Sequence, residues 1–349
     1  MTRRVSKQIK AGSVLIGGGA DISVQSMLNI PAEDVQGSVQ QAIRLENAGC
    51  DIIRLAVPDM EAVKTLAAVK AAVSIPVVAD IHFDYRLALE SVAAGVDKVR
   101  INPGNIGSDD RVKLVADTCR AHNVPIRIGV NAGSLEKEIL AKYGSPVPEA
   151  LCESAMYHVR LLEKYDFEDI VISIKSSNVP TMAQAYRLVA SSCNYPLHLG
   201  VTETGTERMG IIKSAVGIGS LLLDGIGDTI RVSLTADPEN EVIAGRDILR
   251  ASGLLKDAPE LISCPTCGRT KINLISLANE VEKRLAEVKK PIKVAVMGCV
   301  VNGPGEAREA DVGIAGGNGY GVIFRHGEIV KKVREDEIID ELMKEIEQL

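Results

Sequence analysis

One structural unit recurs eight times between residue 20 and about residue 250. Each unit consists of a short apolar stretch, a polar or glycine-containing turn, and a helical segment rich in Ala, Leu, Glu and Lys. An eightfold alternation of strand and helix is typical of a TIM (β/α)8 barrel. We predict that fold, with a doubly wound parallel sheet as the alternative. The predicted strands are residues 23–27, 51–57, 76–83, 98–102, 125–131, 169–177, 196–204 and 229–235.

The composition agrees with a parallel sheet covered by helices. Of the 349 residues, 46% are hydrophobic and only 3% are aromatic, so Val, Ile, Leu and Ala must form the core. We find no secretory signal and no apolar run long enough to span a membrane. The formal charge is −6 and the cations are dispersed, which gives no sign of a nucleic-acid surface. We therefore expect a soluble, cytoplasmic protein that binds neither membranes nor nucleic acids.

A change of pattern after residue 252 predicts a second, smaller domain. The chain continues with a CPTCGRT motif at 264–270, a helix, a strand, a glycine-rich stretch and a charged amphipathic C-terminal helix. We expect residues 1–252 to form the barrel and residues 253–349 to form a small α/β domain that carries a metal cluster. At the other end of the chain, the glycine-rich residues 12–20 predict a hairpin that plugs the barrel floor.

The carboxyl ends of the predicted strands carry many charged side chains. In a TIM barrel these ends form the active face, so four cations on four strands converge on one mouth. Converging cations require an anion, and guanidinium forks suit phosphate oxygens. We predict a phosphate-bearing substrate; the alternatives are internal salt bridges for a single cation and a hydrogen-bonding role for His82. The strand-end residues are Arg54, Asp80, His82, Arg100, Asn102, Arg127, Asn131, Lys175, Glu203, Arg231 and Ser233.

The seven cysteines indicate thiols kept for metal binding or catalysis rather than a disulfide framework. Cys264 and Cys267 have the spacing of a ligand pair, whereas a zinc ribbon requires a second pair and only Cys299 follows. Three thiolates with one position left over favour an iron–sulfur cluster over zinc. The Asn-Gly-Pro-Gly turn permits Glu306 to reach that position. The other cysteines lack ligand-like spacing and are expected to be buried: Cys50, Cys119, Cys152 and Cys193.

Seven motifs together make the chain resemble the 4-hydroxy-3-methylbut-2-enyl diphosphate synthase family of the methylerythritol phosphate pathway. The motifs are VQSM, DIIRLAVPD, RINPGN, GVTETGT, RVSLT, SCPTCGRT and AVMGCVVNGPGEA. The resemblance covers nearly the whole chain and is to the short bacterial type with two domains. The chain departs from the family's VQSMTNT at Leu28 and the Asn-Ile-Pro that follows, which bears on the first strand's loop and not on the activity.

The resemblance implies an iron–sulfur oxidoreductase. The implied reaction opens the ring of 2-C-methyl-D-erythritol 2,4-cyclodiphosphate and removes water, giving (E)-4-hydroxy-3-methylbut-2-enyl diphosphate. The implied cofactor is a 4Fe-4S cluster held by Cys264, Cys267 and Cys299, with Glu306 on the fourth iron at rest. The implied electron donor is flavodoxin or ferredoxin. A phosphate-binding TIM-barrel lyase or transferase with a structural zinc domain remains the alternative function.

The resemblance also implies roles for individual residues. Glu306 and Glu203 are the implied catalytic residues, with Glu203 as the proton donor to the departing oxygen. The diphosphate is implied to lie in a cationic cup of Arg54, Arg100, Arg127 and Lys175. The residues expected to orient the carbon skeleton are Asp80, Asn131 and Asn302. His82, Asn102, Arg231 and Ser233 are expected to contact the substrate as well.

Barrel geometry predicts that two chains build each active site. The eighth strand ends at the active face near Thr235, and its helix, residues 238–252, runs back over roughly 22 Å to the opposite face. Residues 253–263 span at most about 37 Å when fully extended, which leaves no slack for a return. We therefore predict a head-to-tail homodimer in which the second domain of one chain caps the barrel mouth of the other.

Overall fold

A computed structural model describes the chain as two compact units, Met1–Leu254 and Leu255–Leu349. Two of the predicted site residues, Asn302 and Glu306, lie outside the part of the chain that it describes. Among the described residues, no helix combines the length and the apolar character needed to span a bilayer. The described residues are 2–288, 290–300, 305 and 307–349.

The first unit is a closed barrel of eight parallel strands, preceded by a two-stranded hairpin. The hairpin consists of β1 (Ile9–Ala11) and β2 (Val14–Ile16). The barrel strands are β3 (Ser23–Met27), β4 (Ile52–Ala56), β5 (Val77–Asp80), β6 (Lys98–Ile101), β7 (Ile126–Asn131), β8 (Ile170–Lys175), β9 (His198–Leu199) and β10 (Thr229–Ile230). They are arranged in the order β8-β7-β6-β5-β4-β3-β10-β9, and a parallel bridge between Ile172 and Leu197 closes the ring. The predicted TIM barrel is confirmed.

The helices of this unit alternate with the barrel strands. Several begin at an aspartate because a carboxylate at the N-cap accepts a hydrogen bond from an otherwise unsatisfied backbone N–H; Asp34, Asp59 and Asp84 do so for Gly37, Ala62 and Arg86. The helices are α1 (Val35–Asn47), α2 (Met60–Ala72), α3 (Tyr85–Ala93), α4 (Pro103–Ile106), α5 (Asp109–Ala121), α6 (Lys137–Tyr143), α7 (Pro148–Glu163), α8 (Val179–Ser192), α9 (Glu207–Leu223) and α10 (Pro238–Ala251). A 3₁₀ turn, Ala132–Ser134, follows β7.

Two of the predicted strands are reduced to two residues each. The stretch 196–204 forms ladder pairs at His198 and Leu199 beside a single bridge at Leu197, and the stretch 229–235 forms ladder pairs at Thr229 and Ile230 with a separate bridge at Thr235. In the first of them, Glu203 has a φ of 54°, in the left-handed region, which a strand residue does not adopt. The chain therefore leaves the ladder before the predicted end, and the residues beyond form loops at the carboxyl ends of the strands.

The N-terminal hairpin lies earlier in the chain than residues 12–20. Its turn is at Gly12, whose φ of +56° suits glycine, and the later glycines do not form the turn. The inward side chains of the hairpin are apolar and pack on apolar side chains of the barrel. This cluster forms an apolar floor of Ile9, Ala11, Ile16, Ile52, Val78 and Val171.

The second unit is a five-stranded sheet packed against helices. Its strands are β11 (Glu260–Ser263), β12 (Lys293–Met297), β13 (Val312–Gly316), β14 (Tyr320–Arg325) and β15 (Glu328–Arg334), arranged in that order. Strands β11, β12 and β13 are parallel to one another. Strand β14 runs antiparallel to β13, and β15 runs antiparallel to β14. Helices α11 (Leu274–Leu285) and α12 (Ile338–Glu347) bury apolar side chains in one core with β12, β13 and β14. A 3₁₀ turn, Glu335–Glu337, precedes α12.

Candidate active site

Asp80 on β5 pairs with arginines of the two strands beside it, β4 and β6. Strand register places Asp80 beside Arg100, and Arg100 beside Arg127. The Asp80 carboxylate lies 3.1 Å from Nη1 of Arg100 and 3.5 Å from Nη2 of Arg54. Burial raises the pKa of Asp80, but Arg54 and Arg100 outweigh it and hold that pKa well below its usual range. Asp80 is therefore ionised, and it cannot neutralise all the cations around it.

Arg127 is fully buried, and none of its three guanidinium nitrogens has a hydrogen-bond partner in the described part of the chain. Burial is the main cause that lowers its pKa, and the positive charges of Arg54 and Arg100 lower it further. An unpaired buried guanidinium costs several kcal/mol unless another group compensates its charge. An anion bound between these side chains would supply that compensation.

Lys175 extends the cationic region to the next strand. Its pKa is lowered by burial and then by the surrounding arginines, of which Arg54 and Arg100 have the largest effects. Burial likewise lowers the pKa of Arg54 to about 10, partly opposed by Asp80. A small cavity brings together residues from three strands, β4, β8 and β9, and from the loop after β10; it is lined by Arg54, Ser173, Lys175, His198, Arg231 and Ser233.

Arg231 has an acidic partner that the sequence interpretation did not include. Its Nη2 lies 3.3 Å from Oε2 of Glu241, which projects from α10. Glu241 is buried and also accepts hydrogen bonds from Ser26 Oγ and the backbone N–H of Leu234, both at 3.0 Å. Asp59, which follows β4, does not pair with these cations in the described residues; its carboxylate caps α2 by accepting from the N–H of Ala62. Arg231 is therefore partly neutralised from outside the barrel.

The other predicted residues lie after strands of the same barrel. His82 is half exposed, with Nε2 3.8 Å from Asp80. Asn102 is buried, and its side-chain oxygen accepts from the N–H of Gly104, so that oxygen is occupied in capping α4. Asn131 ends β7 and Glu203 is exposed in the loop after β9. Their contacts with a substrate remain predictions, as do the roles of the two residues outside the described part.

Three buried polar residues were missed because only strand ends were considered. Lys98 and His198 are the first residues of β6 and β9, and Glu241 lies on a helix. The alternation of side chains along a strand contains the signal for Lys98, since it shares a face with Arg100. No comparable signal exists for Glu241, because a glutamate in the first turn of a helix is ordinarily solvated.

The barrel interior therefore carries a large excess of positive charge above its apolar floor. In a TIM barrel these positions are usually filled by Val, Ile and Leu. Here Asp80 and Glu241 are the acids that pair with the interior cations in the described residues. The cations are Arg54, Arg100, Arg127, Lys175 and Arg231, and the buried Lys98 lies on the same strand as Arg100. This arrangement can bind a small molecule with at least two negative charges.

Gly129 gives the Arg100 side chain the space that it occupies. A methyl carbon added at Gly129 would lie 2.5 Å from Nη2 of Arg100, so the guanidinium would have to move. We expect Gly129→Ala to lower kcat/KM about 100-fold, the usual effect of misplacing a binding group by about 1 Å. Gly133→Ala is the control, because nothing lies within 4 Å of its added carbon. Equal kinetics for the two variants would contradict the role given to Arg100.

The three predicted ligand cysteines follow two neighbouring strands of the second unit. Cys264 and Cys267 come after β11, and Cys299 comes after β12, its parallel neighbour. The N–H of Gly298 donates to Sγ of Cys264 at 3.2 Å. The N–H of Lys271 donates to the Gly298 carbonyl at 2.9 Å and joins the two loops. The sulfurs therefore belong to one edge of the sheet.

The chemistry of these cysteines fits an iron–sulfur cluster. All three are free thiols, and hydrogen bonds from the backbone and the side chain of Arg269 lower the pKa of Cys267. Among the residues that the structure describes, no three His, Cys, Asp or Glu side chains are already gathered as a ligand set. Of the other cysteines, Cys152 and Cys193 are only half-buried, so the expectation that they are buried is wrong.

Comparison with known protein families shows to which family the chain belongs. Residues 6–246 match the family model of the GcpE TIM-barrel domain, and residues 260–348 match that of the GcpE protein C-terminal domain. The chain belongs to the GcpE family. Its two family segments correspond to the barrel and to the five-stranded sheet. GcpE proteins are 4Fe-4S proteins, so the predicted cofactor is confirmed together with the predicted family.

Curated relatives of the GcpE family resemble this chain along its full length. A protein from Clostridium acetobutylicum is 60% identical over 349 residues and covers 100% of both chains. Proteins from Clostridium perfringens (59%) and Caldanaerobacter subterraneus subsp. tengcongensis (60%) match over 347 residues; each match covers 99% of this chain, and 99% and 98% of the relatives. All three are named 4-hydroxy-3-methylbut-2-en-1-yl diphosphate synthase (flavodoxin). The prediction of an oxidoreductase of isoprenoid biosynthesis is confirmed, and the lyase or transferase alternative is not supported.

Solved structures support the barrel fold. The dihydropteroate synthase of Yersinia pestis has a TM-score of 0.51 at 14% identity, covering 70% of this chain and 98% of that one. The 3-dehydroquinate dehydratase of Geobacillus kaustophilus has a TM-score of 0.51 at 15% identity, covering 71% and 98%. At such low identity the likeness concerns the fold alone.

Proposed function

We propose that the barrel binds 2-C-methyl-D-erythritol 2,4-cyclodiphosphate and that the enzyme reduces it to (E)-4-hydroxy-3-methylbut-2-enyl diphosphate. The observation that carries the substrate assignment is the buried Arg127 guanidinium without a partner, surrounded by further cations. A cyclic diphosphate matches this region in charge and in the number of oxygen acceptors. The name of the relatives specifies a diphosphate product.

The residues of the barrel have separable tasks in this reaction. Arg54, Arg100, Arg127 and Lys175 hold the two phosphates, and Asp80 fixes Arg54 and Arg100 through its ion pairs. Glu203, exposed at the mouth, donates the proton to the oxygen that leaves as water. Asn131 and Ser233 orient the carbon skeleton by hydrogen bonds.

The second unit supplies the reducing equivalents. Cys264, Cys267 and Cys299 would hold the cluster, with Glu306 as the fourth ligand. When bound, a 4Fe-4S cluster delivers electrons singly and provides a Lewis-acidic iron. We propose flavodoxin as the electron donor, because the relatives carry it in their name. We also propose a cytoplasmic location, where three thiols stay reduced.

We propose in addition that the enzyme is a head-to-tail homodimer with shared active sites. The 14 residues of α10 run about 21 Å back from the carboxyl ends of the strands, and only residues 252–259 connect α10 to β11. An apolar groove between α9 and α10 offers a surface for a second copy. It exposes Val216, Leu223 and Ile243, which are 58%, 59% and 50% accessible.

Mixed dimers test this arrangement. A chain with Lys175→Ala lacks part of the cup, and a chain with Cys299→Ser lacks a cluster ligand. If sites are shared, a dimer of one chain of each kind contains one intact site, so co-expression is expected to restore about a quarter to a half of the wild-type rate per dimer. If each site lies within one chain, every site carries a lesion. Mixed dimers that form and remain inactive would refute shared sites.

The proposed function is tested by anaerobic purification with analysis of iron, sulfide and zinc, followed by an assay with the cyclodiphosphate and reduced flavodoxin. We expect a brown protein that makes the linear diphosphate. A colourless, zinc-containing protein without this activity would support the structural-zinc alternative instead.

A further inference from the structure

Lys98 is a fully buried lysine that the proposed reaction does not use. It lies on β6 two residues before Arg100, and register places it beside Val78 of the apolar floor. Its Nζ has no hydrogen-bond partner in the described part of the chain. The position is beneath the cup, and Lys98 is 0% exposed.

The groups that face Lys98 are mostly cationic. The positive charges of Arg127 on β7 and Arg54 on β4 repel a protonated Lys98. His198 on β9 lies in the same interior. The nearest acid is Asp97, whose carboxylate already contacts Lys70 Nζ at 2.5 Å and accepts from the N–H of Val77 at 2.8 Å. A protonated Lys98 therefore has no counter-ion while the cup is empty.

We propose that Lys98 is a positioning residue that takes up a proton when a diphosphate enters the cup, so that substrate binding is coupled to protonation beneath it. This inference rests on the proposed substrate. The proton comes from solvent, and no covalent bond changes. The bound diphosphate supplies the negative charge that the interior lacks, and the ammonium then reinforces the field that holds the phosphates above it.

The electrostatics agree with this assignment. Burial lowers the pKa of Lys98 well below its usual value, and Arg127 and Arg54 lower it further. Both effects favour the neutral amine in the free enzyme, whereas the negative charge of a bound diphosphate favours the ammonium. Where pH lies between the free and bound values, one proton accompanies each ligand. In that range, affinity falls about tenfold for each unit by which pH rises.

Titration calorimetry of the oxidised holoenzyme with the cyclodiphosphate tests the coupling. Titrations from pH 6 to 9 in pairs of buffers with different ionisation enthalpies give the number of protons taken up. We expect roughly one proton in the wild type and about one fewer in Lys98→Met, whose affinity should be weaker and nearly independent of pH. Lys98→Arg, which keeps its charge permanently, should also bind without this proton.

The control is Lys64→Met, which removes an exposed lysine of α2 that pairs with Glu61 and should leave the uptake unchanged. Melting temperatures identify a variant that fails to fold; Lys98→Met should fold, since it removes a buried amine without a partner. Equal uptake in the wild type and Lys98→Met, or none in the wild type, would overturn the proposal for Lys98.

A parallel titration with inorganic diphosphate distinguishes failure of the Lys98 proposal from failure of the proposed substrate. Binding of inorganic diphosphate with the Lys98-dependent proton, without binding of the cyclodiphosphate, would reject the substrate and retain Lys98. Failure of both ligands to bind would reject the interior as a diphosphate site and Lys98 with it.

Discussion

Replacement of Cys267 by serine is expected to yield a folded protein that lacks the cluster and has no detectable synthase activity. Cys267 is exposed, so the change removes a ligand without removing core packing. A serine hydroxyl remains protonated at neutral pH and is a poor ligand for iron, whereas the lowered pKa of Cys267 favours its thiolate. Iron and sulfide analysis, visible absorbance and the melting curve of the barrel measure the three parts of this result.

Cys152→Ser is the matched control. Cys152 is half-buried on α7, and burial raises its pKa, so its sulfur stays a thiol. This variant should keep its cluster and its rate. Wild-type iron content and turnover in Cys267→Ser would remove Cys267 from the ligand set.

Replacement of Asp80 by asparagine is expected to cost about 3–5 kcal/mol of unfolding free energy, because it leaves Arg54 and Arg100 buried without their counter-charge. Added inorganic diphosphate should recover part of the loss if the cup binds anions. Denaturant unfolding with and without diphosphate measures both effects. Asp84→Asn, which weakens the largely exposed pair with Arg86, should cost less than about 1 kcal/mol.

The pH dependence of unfolding provides a second measure of Asp80. Its pKa in the folded protein is below that in the unfolded chain, so its contribution to stability is complete above about pH 4 and is lost as pH falls further. The Asp80→Asn variant should lack this component. A loss of less than about 1 kcal/mol, without recovery by diphosphate, would contradict the central position given to Asp80.

The barrel could be predicted from the sequence because each of its strands and helices is indicated by a pattern of neighbouring residues. Each strand is a short apolar run next to a helical segment, and β3 was predicted with the bounds observed. The short β11, the central β13 and the edge strand β15 were not predicted. β15 exposes nearly all its side chains, including Ile329 and Val330, so it lacks the alternation that identifies a strand.

The site was predictable where residues end strands and unpredictable where contacts depend on packing. Arg54, Asp80 and Arg100 meet as barrel geometry requires. Glu241 reaches Arg231 only because α10 packs beside β3, a long-range contact that no local pattern specifies. Lys98 lay within a predicted strand, and applying the alternation of side chains to the whole strand would have identified it.

The proposed reaction requires that electrons consumed through the cysteine-bearing unit match the product formed in the cationic barrel. Measuring both quantities together in the anaerobic enzyme tests this requirement. Reduced flavodoxin is mixed with the cyclodiphosphate and the iron-loaded enzyme, and the linear diphosphate is quantified against oxidised flavodoxin. We predict about two electrons per product, with about four iron atoms per chain. A cyclodiphosphate that stays intact while flavodoxin remains reduced, or a product that forms without electron consumption, would contradict the proposed reaction.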